Sequence, residues 1–176
     1  MTTCKTYYDS PLGRLLGTAG EDGVTGLWFV GQRYFPQADE LPVGDAQPEL
    51  LRLGEWLDAY WRGERPQLAF RLAPAGADFR QAVWQLLLGI PHGQTTTYGA
   101  LARQLADRWS RRVSARAVGG AVGHNPVSIV IPCHRVVGAS GSLTGYAGGI
   151  GTKTRLLELE GVDMSTLFVP TSGTAL

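Results

Sequence analysis

Apolar and polar residues alternate through the first part of the chain in three runs, KTYYDS, RLLGTAG and VTGLWFV, broken by the turn-forming triplets PLG and EDG. A period of two turns one face of each run toward a core, so the pattern predicts three short antiparallel strands. A polar segment with Pro36, Pro42 and Pro48 follows, and from Pro48 the period changes. Leu50, Leu51, Leu53, Trp56, Leu57, Tyr60 and Trp61 recur at helical spacing, with Pro48 suited to a first turn and Gly63 to a stop. A sheet with one packing helix makes a small α/β unit.

Small residues around Pro74, in LAPAGAD, separate that unit from a helical stretch, which places a domain boundary near residue 75: an N-terminal domain over 1–75 and a C-terminal domain over 76–176. FRQAVWQLLLGIP reads as an amphipathic helix ended by Gly89 and Pro91. TTTYGALARQLADR reads as a second with Thr97 as N-cap, and SARAVGGAVG as a third capped by Ser114. Consecutive short helices suggest a helix-turn-helix. PVSIVIP is then a short β-rich run leading to Cys133 and His134, and TKTRLLELEG a last helix closed by Gly161.

With 176 residues the chain can bury a sizeable core and divides into at most two small domains. No stretch is long and apolar enough to span a membrane, and no basic segment leads into an apolar run at the N-terminus, so the expectation is a cytoplasmic protein without a membrane partner. The only cysteines, Cys4 and Cys133, are expected to be reduced thiols. Charge changes the picture once it is divided along the chain. Residues 1–76 hold seven basic and ten acidic side chains, whereas residues 77–161 hold nine and four, so the C-terminal half is the one suited to a polyanion.

The chemistry concentrates in IPCHRVVG, residues 131–138. A buried cysteine beside a chance histidine is an inert small hydrophobe, and neighbours on a strand point to opposite faces. A nucleophilic Cys133 therefore requires the chain to bend there, which Pro132 and Gly138 permit, and Arg135 adds positive charge that favours a thiolate. Cys4, Cys133, His92, His124 and His134 show no paired metal-ligand spacing, so no metal site is expected. AVGGAVG lacks the Lys-Ser/Thr ending and the preceding strand of a phosphate loop. Its paired glycines cost a helix about 1 kcal/mol each relative to Ala. They signal close approach, either of a neighbouring helix, the reading slightly favoured, or of DNA. Arg116 stands at the exposed N-terminal end of that helix, where a recognition helix presents its contacts.

Taken together, TTTYGALA, SARAVGGAV, HNPVSIVIPCHRVVG, TGYAGG and LLELEG resemble, in order and approximate spacing, the O6-alkylguanine-DNA alkyltransferases. The likeness is strong over residues 76–161 and looser through DSPLGRLLGTAGEDGVTGLWF. It implies an α/β N-terminal domain of ribonuclease-H-like arrangement and a mainly α C-terminal domain with a winged-helix-like helix-turn-helix that binds the minor groove. By motif, Cys133 resembles the alkyl acceptor, His134 the base that activates it through a water, and Glu160 the carboxylate that orients the histidine. The same resemblance gives Tyr146 as a donor to the guanine ring and the Ala147 N–H as a donor to the oxygen that loses its alkyl group. It gives the Cys133 and Val136 carbonyls as acceptors for the exocyclic amine, and Tyr98 as the residue that turns the target phosphate. Arg116 would fill the vacated stack, with Ser114, Ala115, Gly119, Gly120 and Gly123 along the DNA-binding surface, and Asn125 would be the hinge. The implied activity is single-turnover repair of duplex DNA containing O6-alkylguanine, with O4-alkylthymine a further substrate. Base flipping, no cofactor and a monomer in solution are implied with it.

Two features depart from the family's pattern. DRWSRRVS is about four residues longer than expected, and its Trp109, Arg111 and Arg112 form either an extended DNA contact or a solvated turn with one packed aromatic. Ala147 stands where some members have serine, which leaves only a backbone role. Competing readings explain less. A non-catalytic binder of alkylated DNA lacks the acceptor cysteine present here, and a helix-turn-helix transcription factor gives PCHRV and GYAGG no purpose. A cysteine hydrolase needs an oxyanion hole that nothing in the sequence suggests.

Overall fold

The computed structural model describes residues 3–171. Contacts divide the chain into two compact units, one running to Ala75 with Pro126–Ser128 added, the other comprising Gly76–Asn125 and the chain from Ile129 onward.

The first unit is a three-stranded antiparallel meander of β1 (Cys4–Ser10), β2 (Gly13–Gly20) and β3 (Gly23–Phe29), packed by helix α1 (Pro48–Trp61). Leu15, Ala19, Val24, Leu27 and Phe29 are buried together with Leu50, Leu53, Leu57 and Tyr60 of α1, but β2 departs from the predicted alternation: its residues 15–19 are buried in succession, so the strand is covered on both faces. Gly17 permits the close packing, because a Cβ there would stand 3.3 Å from the Leu53 methyl. Pro48 is the first residue of α1, and Gln47 caps it by accepting the Leu50 N–H at 2.7 Å. Trp56 stacks on Tyr60 with ring centroids 5.3 Å apart and meets Phe70 edge-on.

In the second unit, helices α2 (Asp78–Leu88), α3 (Tyr98–Trp109) and α4 (Ala115–Gly123) pack on one another through Val83, Trp84, Leu87, Leu101, Leu105, Val118, Ala121 and Val122. The Trp84 indole N–H donates to the Ala121 carbonyl at 3.0 Å, so even its polar atom is satisfied in the core. Thr97 and Ser114 cap α3 and α4, as their sequence positions predict, accepting the Ala100 and Ala117 N–H groups at 3.1 Å each. Two short strands, β4 (Thr96–Thr97) and β5 (Val136–Val137), pair in parallel. The last helix, α5 (Ile150–Leu159), buries Leu157 with Val137 and Leu143.

One expected element differs. The run PVSIVIP is not a strand: only Val127 bridges to β3, with the Leu27 N–H donating to the Pro126 carbonyl and the Ser128 N–H to the Leu27 carbonyl at 2.8 Å each. That bridge is why residues 126–128 group with the first unit. Ile129 then takes a φ of 71°, a conformation that β-branched residues rarely adopt, and the chain leaves the strand path. Its Val127, Ile129, Val130 and Ile131 are buried, at 7% exposure or less, by turns rather than by a ladder. The final helix also starts two residues earlier than TKTRLLELEG suggests, at Ile150, and ends at Leu159. Among the described residues no helix is long and apolar enough to cross a membrane.

Candidate active site

Cys133 lies in a tight double turn. Pro132 at φ −81° and ψ 64° forms an inverse γ-turn, closed by the Cys133 N–H donating to the Ile131 carbonyl at 2.8 Å. A single 3-10 turn over Cys133–Arg135 follows directly, and its end is held because β5 pairs with β4. The bend that a nucleophilic Cys133 requires is therefore present, and proline, with its φ already fixed, supplies it. The same parallel pairing sets Tyr98, the first residue of α3, immediately after the strand that flanks the cysteine turn.

Around the thiol the polar groups are buried and paired. Asn125, just beyond α4, donates from Nδ2 to Cys133 Sγ at 3.0 Å and to the Ile131 carbonyl at 2.7 Å. His134 is fully buried, with Nε2 2.7 Å from Glu160 Oε1. Glu160 caps the C-terminus of α5 and is also clamped by Arg135, whose Nε and Nη2 donate to its two oxygens at 2.7 and 2.9 Å. The Gly93 N–H adds a longer bond at 3.4 Å, and Arg135 Nη1 donates to the Ile90 carbonyl at 2.6 Å. One carboxylate thus ties the cysteine turn to α5 and to the segment between α2 and β4.

These bonds set the protonation states. Burial alone would raise the Glu160 carboxyl, but the hydrogen bonds from His134 and Arg135 outweigh it and hold the group far below the usual carboxylate range. An ionised Glu160 accepts the Nε2 proton, which assigns the neutral histidine's hydrogen to Nε2 and leaves Nδ1 as the proton acceptor. Nδ1 is buried and has no protein partner among the described residues. Burial pushes the His134 pKa down despite Glu160, so the ring is a neutral base at neutral pH.

The thiol corrects an expectation. Burial pushes Cys133 up from its ordinary value, and the Asn125 hydrogen bond and the charge of Lys153 offset this only in part. The resting group is the thiol, not the thiolate that a lowered pKa would give. Arg135 does not act on it as the sequence suggests, because its guanidinium is committed to Glu160 and Ile90.

Two residues near the sulfur have roles that the sequence reading missed. Lys153 is fully buried, donates to the Val136 and Thr144 carbonyls at 2.6 and 2.9 Å, and is the cation whose charge acts on Cys133. Burial lowers its own pKa to about 8. The signal was available: Lys153, Leu156, Leu157 and Glu160 share the buried stripe of α5, so two charged residues stand among apolar ones at helical spacing. Asn125, expected as a hinge, also bonds the sulfur itself, a contact that only the folded turn reveals.

The other expected site residues fall into two groups. Tyr98 is half-buried, donates to the Thr144 carbonyl at 3.1 Å, and is raised to about 12 by burial and by the neighbouring Cys133. It thereby joins the loop carrying Tyr146 and Ala147 to the cysteine turn. Val136 is buried, its carbonyl receiving Lys153 and its N–H donating to the Cys133 carbonyl. Along α4, Ser114, Ala115 and Arg116 are exposed at the N-terminal end. Among the described residues no hydrogen bond or ion pair brings Arg116 to the thiol.

The glycines of α4 overturn the slightly favoured reading of tight internal packing. A Cβ at Gly119 would meet the Tyr98 ring at an ordinary 3.7 Å, and at Gly120 and Gly123 it would meet nothing within 4 Å. Nothing inside the described protein requires glycine there.

Comparison with known proteins adds an independent finding. Residues 3–74 match the family profile of the 6-O-methylguanine DNA methyltransferase ribonuclease-like domain, and residues 78–162 that of the 6-O-methylguanine DNA methyltransferase DNA binding domain. A methylated-DNA–protein-cysteine methyltransferase of Mycobacterium leprae is 44% identical over 161 residues, covering 91% of this chain and 93% of that protein. One from Haemophilus influenzae is 42% identical, covering 88% and 84%. Among solved structures, Mycobacterium tuberculosis OGT in complex with DNA superposes with a TM-score of 0.79 at 41% identity, covering 89% of this chain and 92% of that one.

Proposed function

The chain belongs to the 6-O-methylguanine DNA methyltransferase family, and from that premise we propose that it repairs alkylated duplex DNA by moving the alkyl group from guanine O6 to Cys133. The observation that carries this assignment is the buried Cys133–Asn125 contact beside the His134–Glu160 pair, on a bend that leaves the histidine one free acceptor nitrogen.

The step is a displacement at carbon. Cys133 gives its proton through a water to His134 Nδ1, and Glu160 stabilises the imidazolium through Nε2. The sulfur forms its bond to the alkyl carbon as the carbon–O6 bond breaks, and the electron pair leaves on guanine. A proton returns to the guanine anion, so the net products are a Cys133 thioether and unmodified guanine. Asn125 and Lys153 oppose the burial that disfavours charge on sulfur. Tyr146 and the Ala147 N–H stabilise the charge that grows on the leaving base, and the Cys133 and Val136 carbonyls accept from its exocyclic amine. A carbonyl oxygen has two lone pairs, so the bonds these two already accept leave room for another.

The alkylated oxygen lies within the base stack, so the nucleotide must leave the duplex to reach the buried sulfur. In this reading residues 76–176 form the DNA-binding and acceptor domain, and α4 enters the minor groove. Ser114, Ala115 and Arg116 lead, and Gly119, Gly120 and Gly123 admit the sugar-phosphate surface. Arg116 fills the vacated stack, Tyr98 turns the target phosphate, and Asn125 links the recognition helix to the thiol. The protein acts as a monomer in the cytoplasm, and residues 1–75 form the companion α/β domain. The test is Cys133→Ser assayed on an O6-methylguanine duplex. Binding is expected to persist while transfer is lost; a variant that still demethylates the duplex overturns the assignment.

A further inference from the structure

We propose that the loop joining α3 to α4 is a second phosphate grip, in which Arg111 and Arg112 hold the backbone of the duplex that α4 reads. This rests on the reading of α4 as the DNA-contacting helix and extends it to residues that no comparison assigns.

The loop is anchored at both ends. Ser110 ends α3 in the left-handed conformation at φ 50°, and the Arg111 N–H returns to the Ala106 carbonyl at 3.2 Å. The Trp109 ring packs against Phe79 of α2 with centroids 5.8 Å apart, and the Arg111 guanidinium lies over the same indole, 4.7 Å from its centroid. At the far end Ser114 caps α4. The aromatic is therefore the packed base of the loop rather than a bystander, and Arg111 is oriented by it before any ligand arrives.

Residues 108–116 hold four arginines and no carboxylate. Among the described residues, Arg111 and Arg112 are exposed and neither is ion-paired. Together with Phe79, Val113, Ser114 and Ala117 they line an open hollow of about 570 Å³ beside the first turn of α4. Guanidinium groups on the rim of such a hollow match a phosphodiester, which accepts their planar N–H pairs bidentately. An oriented, unpaired guanidinium loses less entropy on binding than a free one. The arrangement fits a nucleic-acid backbone better than a solvated turn, which has no need of two uncompensated arginines beside a recognition helix.

The experiment measures binding to a fluorescently labelled undamaged duplex by anisotropy across a salt series. It compares wild type, Arg112→Ala, Arg111→Ala/Arg112→Ala, Arg116→Ala and the charge-matched control Arg62→Ala/Arg65→Ala. Each lost phosphate contact lowers the slope of log K against log salt by about 0.9. The expected reduction is one such step for Arg112→Ala and two for the loop pair, with no change in the control. Alkylation by free O6-benzylguanine, which needs no DNA, is expected to stay at the wild-type rate in the loop variants and the control, and certifies their folding. Loop variants with the wild-type slope, or a control that falls as far as the pair, overturn the inference. A wild-type affinity insensitive to salt, with duplex repair unaffected in Arg116→Ala, instead overturns the reading of α4 itself.

Discussion

His134 and Cys133 are shifted by burial in opposite directions, and the proposed relay depends on both shifts. Burial lowers the histidine, so it is a neutral base at neutral pH; burial raises the thiol, so the proton is still there to be taken. The rate of alkylation by free O6-benzylguanine is therefore expected to be level through neutral pH and to fall only below 6.5, the ordinary histidine value, as Nδ1 is protonated. His134→Ala is expected to slow the reaction by roughly 10²-fold or more, the usual worth of a general base, and Glu160→Gln to slow it by freeing the ring's orientation. An unchanged pH–rate profile in both variants would show that the relay is not the source of reactivity. The same shifts act on stability. Both His134 and Glu160 have folded pKa values below their unfolded ones, so in acid the unfolded chain binds more protons. Stability is expected to fall as pH drops below 6.5 for the histidine and below 4.5 for the carboxylate. The histidine part is at most about 1.4 kcal/mol per pH unit for its one proton. Urea midpoints from pH 7 to 5 check this, since His134→Gln removes that slope; an equal slope in the variant contradicts it.

Helix α4 shows where local stability and function part. Glycine costs a helix about 1 kcal/mol relative to alanine, and Gly120 has open space where a Cβ would go. Gly120→Ala is expected to raise folding stability by up to about 1 kcal/mol while slowing repair of duplex DNA and sparing reaction with the free base. Denaturant melts with the two rate assays check this; a variant that repairs duplexes at the wild-type rate removes DNA approach as the reason for the glycine. The elements themselves were largely legible in the sequence. The turn-bounded strand runs, the Pro48 start, and the Thr97 and Ser114 caps are local signals, and local signals survive into the fold. PVSIVIP was not legible, because a buried apolar run looks alike whether a ladder or turns bury it, and the left-handed Ile129 has no sequence signature. Long-range partners were hidden for the same reason. The sequence suggested that Arg135 favours a thiolate, but it cannot show that Glu160, 25 residues away, claims that guanidinium.

At the scale of the whole molecule, the charge asymmetry and the single nucleophile belong to one account. The basic half of the chain carries both the helix proposed to meet DNA and the cysteine proposed as acceptor, so in this reading recognition and chemistry share residues 76–161. Motif order gave the candidate site its members; folding added Lys153, which joins the Val136 and Thr144 carbonyls across loops that the sequence leaves apart. A thioether on Cys133 is a poor leaving group, so each chain is expected to react once. Intact-protein mass spectrometry after incubation with excess O6-methylguanine duplex tests this most directly. The account predicts a gain of one methyl per chain, located on Cys133 by peptide mapping, with repair stopping at one equivalent of DNA. Repair continuing past one equivalent in a homogeneous preparation, or a methyl carried by any other residue, would contradict it.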